Sequence, residues 1–113
     1  MAGRDRLETV RDAYRAYETK DRELVEGVLA ADFVFYSPPD PGIDRDAYFE
    51  RCWPNAETIA SFELVRLVEI GGDEVLATYE STKADGRRFR NTEIHHFEGE
   101  RVDRVEVYFG WDL

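Results

Sequence analysis

The chain is poor in cysteine, proline, basic charge and long apolar runs, and each shortage removes a class of protein. One cysteine, Cys52, in 113 residues excludes an intrachain disulfide and any multi-cysteine metal site. No apolar stretch approaches the roughly 20 residues that a membrane-spanning helix needs. Lys and Arg number 15 against 25 Asp and Glu, a net charge of −10. That balance argues against nucleic acid and anionic membrane surfaces as partners, because basic clusters supply the attraction to both. Met1–Glu8 alternates charges and carries no apolar signal segment, so a cytoplasmic location is expected. No phosphate-binding glycine loop or nucleophile elbow is present. Aromatic residues, in contrast, are plentiful at 13%, and apolar residues make up 42%. A chain of this composition collapses around a core, and its length fits one domain, residues 1–113.

The first half reads as helical. Leu7, Val10, Tyr14 and Tyr17 recur at three- and four-residue steps and share one helix stripe. A second helix is expected over Asp21–Leu29, with Asp21 as its cap and a tight connection at Thr19–Lys20–Asp21. Phe33–Tyr36 reads as a short strand. Three prolines and a glycine within Ser37–Gly42 predict a rigid loop with no regular element, in which Asp40 bonds its own backbone. Asp44 then caps a third helix bearing Tyr48, Phe49, Cys52 and Trp53, and Pro54 stops it.

Beyond Pro54 four β-type segments follow, near Ser61–Ile70, Glu74–Lys83, Arg87–Glu98 and Arg101–Trp111. They are joined at Gly71–Gly72–Asp73, Asp85–Gly86 and Glu98–Gly99–Glu100. Helices first and a meander second predict an α+β domain whose helices cover one face of an antiparallel sheet. In the last strand Val105, Val107, Phe109 and, by continuation, Trp111 should face the helices. In the strand before it Phe89, Asn91, Glu93, His95 and Phe97 share the inner face. Three polar side chains thus stand on an apolar wall. Left without partners, each would destabilise the fold by about 1–3 kcal/mol. Either they satisfy one another or they line a wet hollow, which would be a ligand pocket. The outer face mixes Arg90, Thr92, Ile94, His96, Arg104, Glu106 and Tyr108, a surface suited to water or to a second copy of the chain.

His95 is the leading acid–base candidate, with Glu93 and Asn91 as its orienting groups and Tyr14 as a hydroxyl donor. Tyr17, Tyr36, Trp53, Phe97, Val107 and Phe109 are candidate lining residues. Glu93 and His95 alone are too few ligands for a metal, and no cofactor is expected.

The order of these pieces resembles the nuclear transport factor 2-like superfamily, in its SnoaL-like and ketosteroid-isomerase-like branch. The segments that carry the likeness are Val10–Tyr17, Lys20–Asp21, Leu29–Phe35, Ser37–Arg45, Glu93–Phe97 and Glu106–Gly110. The resemblance implies a cone of curved sheet closed by helices, a pocket inside it and a homodimer across the outer sheet face. In ketosteroid isomerase an Asp is the general base, and a Tyr with a protonated Asp forms the oxyanion hole. Those positions fall here at Ser37, at Ala13 (one residue short of Tyr14) and at His95, so that activity is not expected. The implied function is binding of a small apolar molecule, with isomerase, cyclase or hydratase chemistry as one outcome. A non-catalytic module with a filled cone is the other.

Overall fold

The computed structural model describes residues 5–113; of the charge-alternating segment Met1–Glu8, the first four lie outside the described residues. Three helices come first, α1 (Arg6–Thr19), α2 (Arg22–Val28) and α3 (Arg45–Arg51). Each begins at an aspartate whose carboxylate accepts from a backbone N–H of the first turn: Asp5 from Leu7, Asp21 from Leu24 and Asp44 from Ala47. Lys20 ends α1 in the left-handed region, at φ 60°, and turns the chain straight into α2. Among the described residues no helix is long and apolar enough to cross a membrane.

Six strands form one sheet: β1 (Leu29–Ser37), β2 (Asp40–Asp44), β3 (Ile59–Gly71), β4 (Glu74–Lys83), β5 (Arg88–Glu98) and β6 (Arg101–Asp112). Their spatial order is β2-β1-β6-β5-β4-β3. The meander β3–β6 follows the expected hairpins. Between β3 and β4 the turn residues Gly72 and Asp73 both have positive φ, 61° and 63°, as a two-residue hairpin of right-handed twist demands. The helices lie on the inner face, α1 against β3 and β4 and α3 against β1.

Three expectations need correction. The Ser37–Gly42 segment is not a structureless loop: Pro38 and Pro39 form a turn, and Asp40–Asp44 returns as β2, antiparallel to β1. Pro41 is tolerated there because β2 is an edge strand, and the hydrogen bond its nitrogen cannot donate has no claimant. The sheet is also mixed rather than wholly antiparallel, since β1 joins β6 in parallel. Finally, Pro54 does not simply stop a helix; it opens a 3₁₀ turn over Trp53–Thr58, where its missing N–H is harmless.

Facing rows on the inner side of the sheet set the interior. Across β4, β5 and β6 they read Val75–His95–Val105, Ala77–Glu93–Val107 and Tyr79–Asn91–Phe109. Small or β-branched neighbours therefore flank Glu93 and His95 and leave space above them, whereas Asn91 lies between Tyr79 and Phe109. The helix-side core closes on Val10, Val25, Phe33, Tyr48 and Phe49, all buried. Phe33 is 1% exposed, and its burial alone contributes about 2–3 kcal/mol.

The register between β5 and β6 breaks twice, between His96 and Phe97, where Asp103 is the extra residue on β6, and between Arg90 and Asn91. Asn91 faces Phe109, but Arg90 faces Trp111, so Gly110 is an extra residue on β6. A one-residue slip reverses the side to which every later side chain points. Trp111 therefore lies on the outer face, over the Arg90 guanidinium at 5.4 Å, and is 62% exposed. The expectation that Trp111 continues the inner row is overturned by this bulge.

Candidate functional site

Between the helices and the sheet lies a cavity of about 290 Å³. Its floor is the polar stripe of β5, and its walls are aromatic and aliphatic. Tyr14 of α1 reaches down to this floor from the helix stripe. Its hydroxyl donates to Glu93 Oε1 at 3.0 Å and lies 3.2 Å from His95 Nε2. Tyr79 of β4 donates to Glu93 Oε2 at 2.8 Å. Glu93 thus collects two tyrosine hydroxyls, and a carboxylate has about four acceptor positions, so capacity is left over. With Glu93 ionised, hydrogen-bond direction is set along the chain. His95 Nε2–H donates to the Tyr14 oxygen and Tyr14 donates to Glu93.

Burial dominates the electrostatics. It pushes the Glu93 carboxyl above the usual range, and the two tyrosine bonds only partly oppose that shift. Burial likewise lowers His95 to about 4, so its imidazole is neutral near pH 7. The 3.5 Å approach of His95 to Glu93 is therefore not an ion pair at that pH. Tyr14 and Tyr79 are both raised, first by burial and then by the Glu93 charge. Both remain protonated donors at any ordinary pH.

Asn91 plays a different part from the one expected. Its side-chain oxygen accepts from Gly110 N at 3.1 Å, and its amide donates to the Tyr79 hydroxyl at 3.3 Å. It pins the β6 bulge and orients Tyr79; no contact joins it to His95. Tyr17 borders the cavity and shares a short hydrogen bond with the Tyr48 hydroxyl. Burial raises the pKa of both, and their mutual bond partly opposes this at Tyr17. Val107 borders the cavity as well, and Phe109, 60% exposed, stands at its mouth.

Three expected lining residues lie elsewhere. Tyr36 follows Phe35 on β1, so the alternation that turns Phe35 inward turns Tyr36 outward, where its ring covers Gly42. Trp53 stands behind the wall, edge-on to the Tyr17 ring at 4.9 Å. Phe97 is 1% exposed and sealed beneath Arg6, whose guanidinium lies 5.1 Å from its ring.

Other residues of the site escaped the sequence reading. Tyr79 shares the inner face of β4 with Val75 and Ala77, a two-residue period that was available to be read. Phe62 packs edge-on against both Tyr14 and Tyr79 at 5.2 Å. Asp40 is buried at the cavity wall, accepting from Ser37 Oγ at 2.9 Å and facing Arg51 at 2.8 Å. Its carboxylate does not bond its own backbone as expected; it takes the Ser37 hydroxyl across the Pro38–Pro39 turn, from the first residue of β2. Cys52 is half-buried at the same wall, and burial pushes its thiol up to about 11.

A helix-covered curved sheet holding a polar-floored cavity defines a nuclear transport factor 2-like α+β cone. Within that class the model of the SnoaL-like domain matches residues 10–105, and the chain belongs to this family. Solved structures agree on the fold. An NTF2-like protein of unknown function from Burkholderia pseudomallei K96243 is 22% identical, with a TM-score of 0.73 over 96% of this chain and 92% of that one. A candidate ketosteroid isomerase from Kribbella flavida DSM 17836 is 17% identical, TM-score 0.78, over 93% and 77%. IdmH, a candidate polyketide cyclase of Streptomyces antibioticus, is 18% identical, TM-score 0.74, over 92% and 91%. No curated protein matches the chain.

Proposed function

We propose that the cavity binds a small, largely apolar molecule and that Glu93, held by Tyr14 and through it by His95, moves a proton on it. One observation carries the reading: the Tyr14 hydroxyl joins a part-buried carboxylate to a buried neutral imidazole at 3.0 and 3.2 Å. Glu93, with its raised affinity for protons, is the base. When it takes a proton from the ligand, the hydroxyls of Tyr14 and Tyr79 go on holding its oxygens, and Glu93 keeps the proton until it returns it to the ligand. His95, expected from sequence to be the principal acid or base, becomes a positioning group that donates its Nε2–H to the Tyr14 oxygen, because burial leaves it a weak base on its own. The names of the solved relatives, a candidate ketosteroid isomerase and a candidate polyketide cyclase, are in keeping with proton chemistry of this kind.

The test uses a panel of small carbonyl compounds and amines, followed by NMR in deuterated water. Bound compounds should shift the resonances of Tyr14, Glu93 and His95, and at least one should exchange a C–H for deuterium. Glu93→Gln should slow that exchange by about 10²-fold or more. Hits that never exchange would reduce the site to a binding module, and a panel with no hit at these residues would remove the reading.

The outer sheet face is assigned to a second copy of the chain. Val68, Leu76 and Ile94 form an apolar row across β3, β4 and β5. On the same face Arg90 pairs with Glu80 and Arg104 with Glu74. Both signs on one surface make it self-complementary, the condition for a twofold contact. Light scattering should give twice the chain mass of 13.2 kDa, and Ile94→Arg should halve it. A wild-type protein of single-chain mass at high concentration would count against the pairing.

A further inference from the structure

We infer that the cavity selects a small organic cation, an apolar body carrying a protonated amine that seats against Glu93 among aromatic rings. The inference rests on the reading of the cavity as a ligand site and names the ligand's charge class. It starts from an imbalance. Two carboxylates, Glu93 and Asp40, border the cavity, and no Lys or Arg is among the described residues that line it. Asp40 is answered from outside by Arg51. Glu93 has no such answer: its partners are two tyrosine hydroxyls and the neutral His95. A buried carboxylate without a cation is unfavourable when ionised, so a site built this way gains most from a ligand that brings the missing charge.

The walls suit that ligand. Nine Phe and Tyr rings border the cavity. The trio Tyr14, Phe62 and Tyr79 stands with ring centroids 5.1–5.2 Å apart beside Glu93. Aromatic faces attract ammonium groups through the ring quadrupole, most strongly where water is excluded, and a carboxylate adds a charge-assisted hydrogen bond. The free acceptor positions of Glu93 supply that bond. The exterior points the same way, since a net charge of −10 draws cations toward the mouth and repels anions. A volume of 290 Å³ matches about ten water molecules of liquid, the scale of a one-ring amine.

Three probes of one shape and different charge decide the matter: phenethylamine, phenethyl alcohol and phenylacetate, titrated by calorimetry and NMR at neutral pH. The amine should bind at least about tenfold more tightly than the alcohol, with phenylacetate weakest. In Glu93→Gln the advantage of the amine over the alcohol should shrink to about threefold or less. Arg51→Gln, altered at a half-exposed side chain, provides a second arm should Glu93→Gln fail to fold. By uncovering Asp40 it should tighten the amine and leave the alcohol unchanged. An alcohol that binds as well as the amine, or an anion that binds best, overturns the charge class and leaves the ligand site standing. An amine advantage undiminished in folded Glu93→Gln, or an amine no tighter in Arg51→Gln, overturns the seat assigned here. No binding by any of the three overturns both the charge class and the ligand site.

Discussion

Gly110→Ala should destabilise the protein by about 3 kcal/mol and lower Tm by roughly ten degrees or more. A Cβ on residue 110 would stand 2.1 Å from the carbonyl oxygen of Arg90, which is backbone and has no rotamer through which to retreat. The strain reaches the site by a short route. Asn91 accepts from Gly110 N and donates to Tyr79, and Tyr79 holds one oxygen of Glu93. Pushing the bulge outward therefore loosens the carboxylate as well as the strand. Thermal and urea unfolding measure the first effect, and the NMR resonances of Tyr79 and Glu93 report the second. Gly27→Ala is the matched control: it lies within α2 with nothing inside 4 Å of an added Cβ, and it should stabilise by about 0.5–1 kcal/mol. Equal stability of Gly110→Ala and wild type would mean that β6 does not carry this bulge.

The second large effect is on pH. His95 has a folded-state pKa near 4, below the 6.5 of an unfolded chain. Between those values the unfolded state binds a proton that the folded state refuses. Stability from His95 is therefore complete above about pH 6.5 and is lost as the pH falls toward 4. Two and a half units correspond to about 3 kcal/mol in the limit, and to about 2 kcal/mol between pH 7 and pH 5. Glu93 works in the opposite sense. Its folded pKa is raised, so it favours folding at low pH and loses that contribution as the pH rises through its folded value. The groups facing this pair are the hydroxyls of Tyr14 and Tyr79, which stay protonated throughout and contribute no slope. Urea midpoints across pH 5–7 should fall with acidity in wild type. In His95→Gln, which can still bond Tyr14, the fall should flatten or reverse. His96, the other histidine, stands on the outer face against Asp103 and is common to both proteins. Identical slopes in the two would show that His95 is not shielded from water as described.

The stripe of Asn91, Glu93 and His95 was legible because β5 is regular there: strict alternation between Phe89 and Phe97 leaves only one assignment of faces. The aspartate caps at Asp21 and Asp44 were legible for a similar reason, since capping depends on residues within one turn. Errors arose where a single residue changed the count. Nothing in Tyr108–Phe109–Gly110–Trp111 announces that Gly110 is extra; only the approach of Arg90's carbonyl requires it, and that carbonyl belongs to another strand. Tyr36 was misplaced as pocket lining although its own alternation with Phe33 and Phe35 points it outward. Three prolines and a glycine within Ser37–Gly42 predict no regular element, but that rule applies inside a sheet, and edge position is a property of topology. The roles of Asn91 and Asp40 depend on partners from other elements, Gly110 and Arg51, which no local pattern connects to them. Fold class is written in periodicity; which polar group holds which is written in the third dimension.

The parallel junction of β1 with β6 has a consequence for how the molecule is made. The hairpins of β3 through β6 join neighbours in sequence and close cheaply, whereas β1 must wait for a strand more than half the chain away. On the ribosome α1 can dock on β3 and β4 as they emerge, but the inner edge of β1 stays unpaired until β6 has left the exit tunnel. Newly synthesised chains should therefore acquire protease resistance late and in a single step, after β6 is exposed, rather than gradually from the N-terminus.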